Sequence, residues 1–306
     1  MDTIKKGRVE MRKIILFTES TCDLTPELST KYDIKTIPLF VNFNEETYLD
    51  GVDINAKELY QKVSEKKILP KTAARGVHEY FQIYQDYINQ GFDIVHISLG
   101  NNISSSYQNA YLARLELGDL SNHVYLIDGQ NLSTGTSLLL LKASQMRAQG
   151  LPASEIETKI KELVPRVKTQ FVVESLEYLH KGGRCSTTKR FLGAMLRIKP
   201  MIVMRGGILS VGKTIFGSIR KSLNIMFNQF LNDLPNIDPE FVFITHSSAD
   251  KSSKYLFELL KANGVAEKIE HIYETEAGCV ISSHCGEGTI GILYLMNQDV
   301  TNDLNE

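Results

Sequence analysis

The sequence predicts an α/β protein of two units: an N-terminal domain on a parallel sheet and a C-terminal α+β domain. Three observations carry this expectation. The chain has 306 residues, about twice the roughly 150 typical of one domain. Its first half alternates short apolar runs with helical stretches, the pattern of right-handed βαβ crossovers. Its second half interrupts that alternation with Arg205-Gly206-Gly207 followed by Ile208-Leu209-Ser210, a hairpin signal that implies antiparallel pairing and a mixed sheet. The change of pattern puts the boundary near Pro165, giving domains 1–165 and 166–306.

In the first half, residues 13–18 (KIILFT) form an apolar run followed by Ser, Thr, Asp23, Pro26 and Glu27, a strand-to-helix junction. Residues 34–43 read as one strand, and Asp53 and Asn55 are candidate caps for a helix around 57–64. Tyr80, Ile83, Tyr84 and Tyr87 fall on one face of a helix at i, i+3, i+4, i+7. Residues 92–99 (FDIVHISL) read as a buried strand, the serines 104–106 open a helix, and 123–128 (HVYLID) is a further strand. A helix over 134–149 stops at Gly150; its Leu138–Leu141 block sits in what reads as an amphipathic pattern.

The second half begins with an amphipathic helix over 154–164, carrying Ile156, Ile160, Leu163 and Val164. Strands follow at 170–174 and 200–204, then the hairpin. Leu223, Met226, Phe227, Phe230 and Leu231 mark another helix. Strands at 241–245, 269–274 and 290–296 flank a helix near 254–260, and the polar residues 297–306 read as a frayed end.

Composition excludes several classes. With 34 Lys+Arg against 36 Asp+Glu the net charge is −2, so there is no cation excess to displace counterions from a polyanion, and nucleic acid is not an expected partner. The four cysteines (Cys22, Cys185, Cys279, Cys285) form no C-x-x-C pair, so no metal site is expected and the thiols read as small core hydrophobes. No apolar run approaches the roughly 20 residues needed to span a bilayer. Residues 1–11 are charged and lack a signal-peptide core. The expectation is a reduced, cytoplasmic monomer.

Four clusters depart from plain strand–helix traffic. Glu19-Ser20-Thr21-Cys22-Asp23 stands at the carboxyl end of the first strand, where parallel sheets collect ligands, although Ser, Thr and Asp are also preferred N-caps. Asn101-Asn102-Ile103-Ser104-Ser105-Ser106 offers hydroxyls and free amides at a helix start. Leu179-His180-Lys181-Gly182-Gly183-Arg184 is either a helix C-cap with a solvated Arg or a tight turn that projects Arg184 into a cleft. Ser282-Ser283-His284-Cys285-Gly286-Glu287-Gly288 suits a loop that turns an imidazole toward a cavity. No G-x-x-x-x-G-K-[ST], G-x-G-x-x-G after the first strand, H-E-x-x-H or G-x-S-x-G motif occurs, so P-loop, dinucleotide, zincin and nucleophile-elbow chemistries lack their signatures.

In this order the clusters resemble the DegV family of bacterial fatty-acid-binding proteins, over nearly the whole chain from Lys13 to Met296. The carriers are Thr18–Leu24 (TESTCDL), Ile37-Pro38-Leu39, Tyr48-Leu49-Asp50-Gly51-Val52-Asp53 and Pro70-Lys71-Thr72. Tyr107-Gln108, Ile127-Asp128, Gly182-Gly183-Arg184 and His284-x-Gly286-x-Gly288 complete them. The resemblance implies a long-chain fatty acid in a tunnel between the two domains, with no cofactor and no chemistry of the protein's own. It implies that Thr72 and Ser104 donate hydrogen bonds to the carboxylate, that His284 lies beside it, and that Arg184 stands at the tunnel mouth, positioning the head group or a partner. Ser20, Thr21 and Ser105 are secondary candidates. It further implies that the acid is presented to a separate ATP-dependent fatty acid kinase.

Three positions depart from the family pattern. Thr72 is followed by Ala73 rather than Ser, a Gly is replaced by Ser105, and the Arg expected in K-x-R after the hairpin is Ile215 in Lys213-Thr214-Ile215, with Arg220 the nearby alternative. The first two bear on the head group, the third on the kinase. Two other readings compete: a hydrolase or acyltransferase using Ser20 or one of Ser104–Ser106 with His284 as base, and a regulatory subunit whose lipid is structural.

Overall fold

The computed structural model describes residues 12–194 and 198–300. The charged stretch 1–11 and the end of the polar tail, 301–306, lie outside the described residues, so the readings made there concern sequence alone. Along the first half run β1 (Lys13–Glu19), a 3-10 turn (Ser20–Cys22), α1 (Pro26–Lys31), β2 (Ile34–Ile37), β3 (Phe40–Phe43), β4 (Glu46–Leu49), α2 (Ala56–Lys66) and β5 (Lys71–Ala73). There follow α3 (Val77–Asn89), β6 (Phe92–Ser98), α4 (Ser106–Glu116), β7 (Val124–Asp128), α5 (Thr134–Ala148) and α6 (Ala153–Leu163). The second half holds β8 (Val167–Val172), α7 (Glu177–Gly182), β9 (Met201–Arg205), β10 (Ile208–Lys213) and α8 (Ile219–Asp233). It ends with β11 (Ile237–Ser247), α9 (Asp250–Ala262), β12 (His271–Glu276), α10 (Cys279–Cys285) and β13 (Thr289–Met296).

The N-terminal domain carries the expected parallel sheet, in the order β2-β1-β6-β7. The chain steps from β1 to β2 on one side and later resumes with β6 on the other, so the order reverses between β1 and β6. The crevice at the carboxyl ends of those two strands is where such sheets bind ligands. The C-terminal domain is a mixed six-stranded sheet, β10-β9-β8-β13-β11-β12, in which only β11 and β12 pair in parallel.

The expected single strand over 34–43 is two strands in two sheets. Pro38 has no N–H for a ladder and a fixed φ; the chain leaves the parallel sheet there, and the next amide, Leu39 N–H, donates to Ser20 Oγ at 3.2 Å. β3 then joins β4 and β5 in a small antiparallel sheet, β4-β3-β5, that the pattern reading did not foresee. Of the two candidate caps for α2, Asn55 forms a capping box with Glu58, both bonds at 3.0 Å. Asp53 instead accepts from Leu49 N–H at 2.8 Å within the preceding turn.

The Leu138–Leu141 block differs most from expectation. All four leucines are fully buried, so α5 has no solvent stripe there. They pack against Leu16, Val95 and Ile127 of the parallel sheet and against Phe241, Phe243 and Leu293 of the mixed sheet. A helix sandwiched between two sheets must be apolar on both sides, and each such leucine contributes about 1.5–3 kcal/mol of burial. α5 therefore joins the two domains into one continuous core. α10 crosses in the opposite sense: Cys279 and Val280 pack with Leu39, Val41, Phe43, Ile54 and Leu59 of the N-terminal half.

Candidate functional site

The crevice at the reversal point holds a cavity of about 360 Å³. Thr72 and Ala73 of β5, Leu99, Ile103, Ser104 and Ser105 after β6, Arg184 after α7, and Val280, Ile281 and His284 of α10 are among its walls. A second, narrower cavity of about 50 Å³ adjoins it and shares Leu132, Leu209, Ile281 and His284. It runs along the mixed sheet beside Phe171, Gly291 and Leu293.

His284 is the hinge between the two. It lies in the last turn of α10, not in a loop as its small neighbours suggested. The amides at the start of α10 are held by two acids from distant segments. Asp23 Oδ1 accepts from Gly278 N–H at 2.9 Å, and Asp50 accepts from Cys279 N–H at 2.6 Å and Val280 N–H at 3.4 Å. Ser20 Oγ donates to Asp50 Oδ2 at 2.9 Å, and Ser133 Oγ donates to Asp23. Burial pushes the Asp23 carboxyl up to about 8, with the Asp50 charge adding to the shift. Burial likewise raises Asp50.

At the other end of α10, His284 Nε2 stands 2.8 Å from Thr72 Oγ1, while its Nδ1 is buried without a partner. A buried N–H with no acceptor is a rarer defect than a bare lone pair. The proton is therefore assigned to Nε2, which donates to Thr72 Oγ1 and leaves the threonine hydroxyl proton free for the cavity. Burial and the nearby Arg184 guanidinium push the imidazole down to about 4, so it is neutral at physiological pH.

The Gly182-Gly183-Arg184 segment fits around this ring. A Cβ on Gly182 would collide with His284 Nδ1. Gly183 ends α7 at φ 70°, a left-handed position that favours glycine. The turn brings Arg184 back over the rim, where Nη1 donates to Gly182 O at 2.6 Å and Nε to Ile103 O at 3.3 Å. The C-cap and the cleft-facing Arg, offered as alternatives by the sequence, are thus the same feature.

The narrow cavity contains many hydroxyl residues, yet their polar atoms are engaged elsewhere. Thr169 Oγ1 donates to Asn131 Oδ1 at 2.6 Å, and Thr245 Oγ1 lies 2.6 Å from Thr134 Oγ1 and 2.9 Å from Thr275 Oγ1. Ser247 Oγ lies 2.5 Å from the Tyr60 hydroxyl and 2.6 Å from Ser282 Oγ, and Thr289 Oγ1 donates to Cys285 O at 2.9 Å. With those groups satisfied, the wall left to a ligand is hydrocarbon. The arrangement is a polar pocket beside an apolar slot.

Residues 13–297 match the model of the DegV family, described as uncharacterised proteins. The chain belongs to the DegV family. A DegV domain-containing protein of Clostridium perfringens is 31% identical over 285 residues, 93% of this chain and 99% of the relative. The structure of a fatty-acid-binding DegV family protein from Thermus thermophilus is similar with a TM-score of 0.85 and 25% identity, covering 94% of this chain and all of that one. A stearic-acid-binding protein from Eubacterium ventriosum is similar with a TM-score of 0.79 and 27% identity, covering 94% and 99%.

Of the DegV-type candidates, Thr72, Ser104, Ser105, Arg184 and His284 meet around one cavity, contributed by four separate segments. Ser20 and Thr21 line neither cavity: Ser20 braces Asp50, and Thr21 is buried in the 3-10 turn. His284 Nε2 is bonded to Thr72, so Ser20 is removed as a nucleophile paired with it. Ile215 is a core residue of the mixed-sheet domain, packed with Leu223 and Phe227, and Arg220 stacks over Tyr255 at 4.4 Å. The sequence reading missed Asp50 as a support of α10 and missed the slot; acids inside otherwise apolar motifs were the available signal for the first. Among the described residues no helix is long and apolar enough to cross a membrane, and no three metal-ligating side chains cluster.

Proposed function

We propose that the two adjoining cavities are one tunnel for a long-chain fatty acid, with Thr72, Ser104 and His284 at its head group, Ser105 beside them and Arg184 at the mouth. The observation that carries this reading is the contrast in the walls: a Thr72 hydroxyl proton open to the cavity beside His284, and hydroxyls tied to protein along the slot. Each buried CH₂ contributes about 0.8 kcal/mol, so the chain supplies most of the affinity and the polar end sets orientation. The fatty-acid-bound relatives support the ligand class.

On this reading the protein is a monomeric cytoplasmic carrier, divided near Pro165, that presents its acid to a separate ATP-dependent fatty acid kinase. The exposed Arg184 at the rim supports presentation; Ile215 in the core means that any docking cation lies elsewhere. The test is to purify the protein without detergent, denature it and identify released lipid by mass spectrometry. A stoichiometric long-chain acid is expected. Protein that carries none and takes up none when it is added contradicts the reading. For the kinase step, Arg184→Ala is expected to slow acyl phosphate formation with lipid still bound; an unchanged rate favours a structural lipid.

A further inference from the structure

β1 and β6 pair in parallel up to the crevice, and Glu19 and Ser98 are their last residues. Beyond them the two strands part. The chain after Glu19 turns into the 3-10 helix, and Leu99 opens the loop that carries Ile103, Ser104 and Ser105 to the wall of the larger cavity. On the β7 side the ladder continues past this point: Gly129 N–H donates to Ser98 O at 3.0 Å and Gly100 N–H to Asn131 O at 2.9 Å. On the β1 side there is no strand left for the buried Leu99 amide, and a buried N–H without an acceptor is costly.

The Glu19 side chain takes that place. Its Oε2 accepts from Leu99 N–H at 2.8 Å, and its Oε1 accepts from Ser98 Oγ at 2.9 Å and from the Tyr80 hydroxyl at 3.0 Å. His96 Nε2 lies 3.2 Å from the same Oε1. Glu19 is 0% exposed. Burial pushes its carboxyl up, but His96 and the Leu99 and Ser98 donors outweigh it and hold the group below the usual carboxyl value. Two carboxylate oxygens can serve three donors, whereas an amide has one acceptor oxygen and would turn N–H groups toward the rest.

From Leu99 the order passes along the loop. Gly100 O accepts from Ile103 N–H at 3.1 Å and from Ser104 N–H at 3.2 Å, and Asn101 N–H donates to Asp128 Oδ1 at 3.1 Å. Ser104 is thus tied to the peptide that Glu19 holds, although Glu19 itself lines neither cavity. We propose that Glu19 is a positioning residue of the head-group site: standing in for a strand at Leu99, it fixes the loop over 99–104 and with it the place of Ser104 on the cavity wall. The proposal rests on the fatty-acid reading above and adds a residue on which that site depends.

A double-mutant cycle, read by calorimetric titration of delipidated protein with dodecanoic acid, tests this. Glu19→Gln and Ser104→Ala are each expected to weaken the acid about tenfold. The double variant is expected to bind no more weakly than Ser104→Ala alone, because Glu19 acts through Ser104. Glu19→Asp keeps the charge but is shorter by one methylene; it should show the same pattern, and it replaces Glu19→Gln if that variant does not fold. A role in stability alone would lower the unfolding temperature and leave the affinity of the folded protein at the parental value, a result that overturns the proposal. Losses that multiply in the double variant overturn it too, as does parental affinity in Ser104→Ala. In each of these cases the parent still binds and the fatty-acid reading stands. Failure of the parent to take up dodecanoic acid or any longer acid contradicts the fatty-acid reading itself.

Discussion

The larger cavity and the narrow slot beside it are built from the same residue types with opposite results. Thr72 and Ser104 at one end and Thr169, Thr245, Ser247 and Thr289 at the other are all hydroxyl side chains on a cavity wall. In the slot each hydroxyl has protein partners, and its methyl or methylene faces inward. In the larger cavity Thr72 keeps its hydroxyl proton for a ligand, because His284 supplies that oxygen with its donor. What makes a wall polar is the unspent hydrogen-bonding capacity of its residues, not their composition.

The comparison can be broken at either end. The largest effect is expected from Gly182→Val, whose side chain must displace His284 or α7; overpacking of this kind costs about 1–3 kcal/mol of stability, and it removes the partner of Thr72, so thermal unfolding and fatty-acid titration should both report a loss. Thr245→Val should come next and act on stability alone. It strands Thr134 and Thr275 at a cost of about 1–2 kcal/mol, read by denaturant unfolding. Thr72→Val should act on both: it leaves His284 Nε2–H without its acceptor, a cost to unfolding of about 1–2 kcal/mol, and it weakens a fatty acid about tenfold, or ~1.4 kcal/mol.

Smaller effects follow from the two ends of α10. His284 is held down at about 4, below its unfolded value of about 6.5, so its contribution to stability is present above pH 6.5 and lost as pH falls toward 4. Asp23 is raised to about 8, so its contribution is present below about pH 4 and lost as pH rises toward 8. Unfolding profiles should show His284→Gln softening the acid loss and Asp23→Asn flattening the decline between those limits. The smallest effect is expected at Arg184, which is exposed. Arg184→Ala should change stability by less than about 0.5 kcal/mol.

Local signals made much of this legible. The tyrosine stripe of α3, the Gly-Gly hairpin of β9 and β10, and the strand read over 92–99 needed only periodicity and turn chemistry, and all three formed, the strand ending one residue early at Ser98. Two features depended on partners far along the chain and left no such trace. α10 looked like a loop because Ser-Ser-His-Cys is a poor helix former by itself; its first amides are capped by Asp23 and Asp50, more than 200 residues away. α5 looked amphipathic because nothing local reveals that a second sheet covers its outer side. The residues that meet around the larger cavity were legible through the family resemblance, and the slot was not, since its threonines read as polar until their partners are known.

The most direct test of this contrast is the affinity of one fluorescently labelled long-chain fatty acid for Thr72→Val and Thr245→Val, measured side by side; the label is needed because the chain has no Trp. The account predicts about tenfold weaker binding for Thr72→Val and binding within about twofold of the parent for Thr245→Val, although both variants lose stability. Equal losses in the two variants, or a greater loss at Thr245, would contradict it.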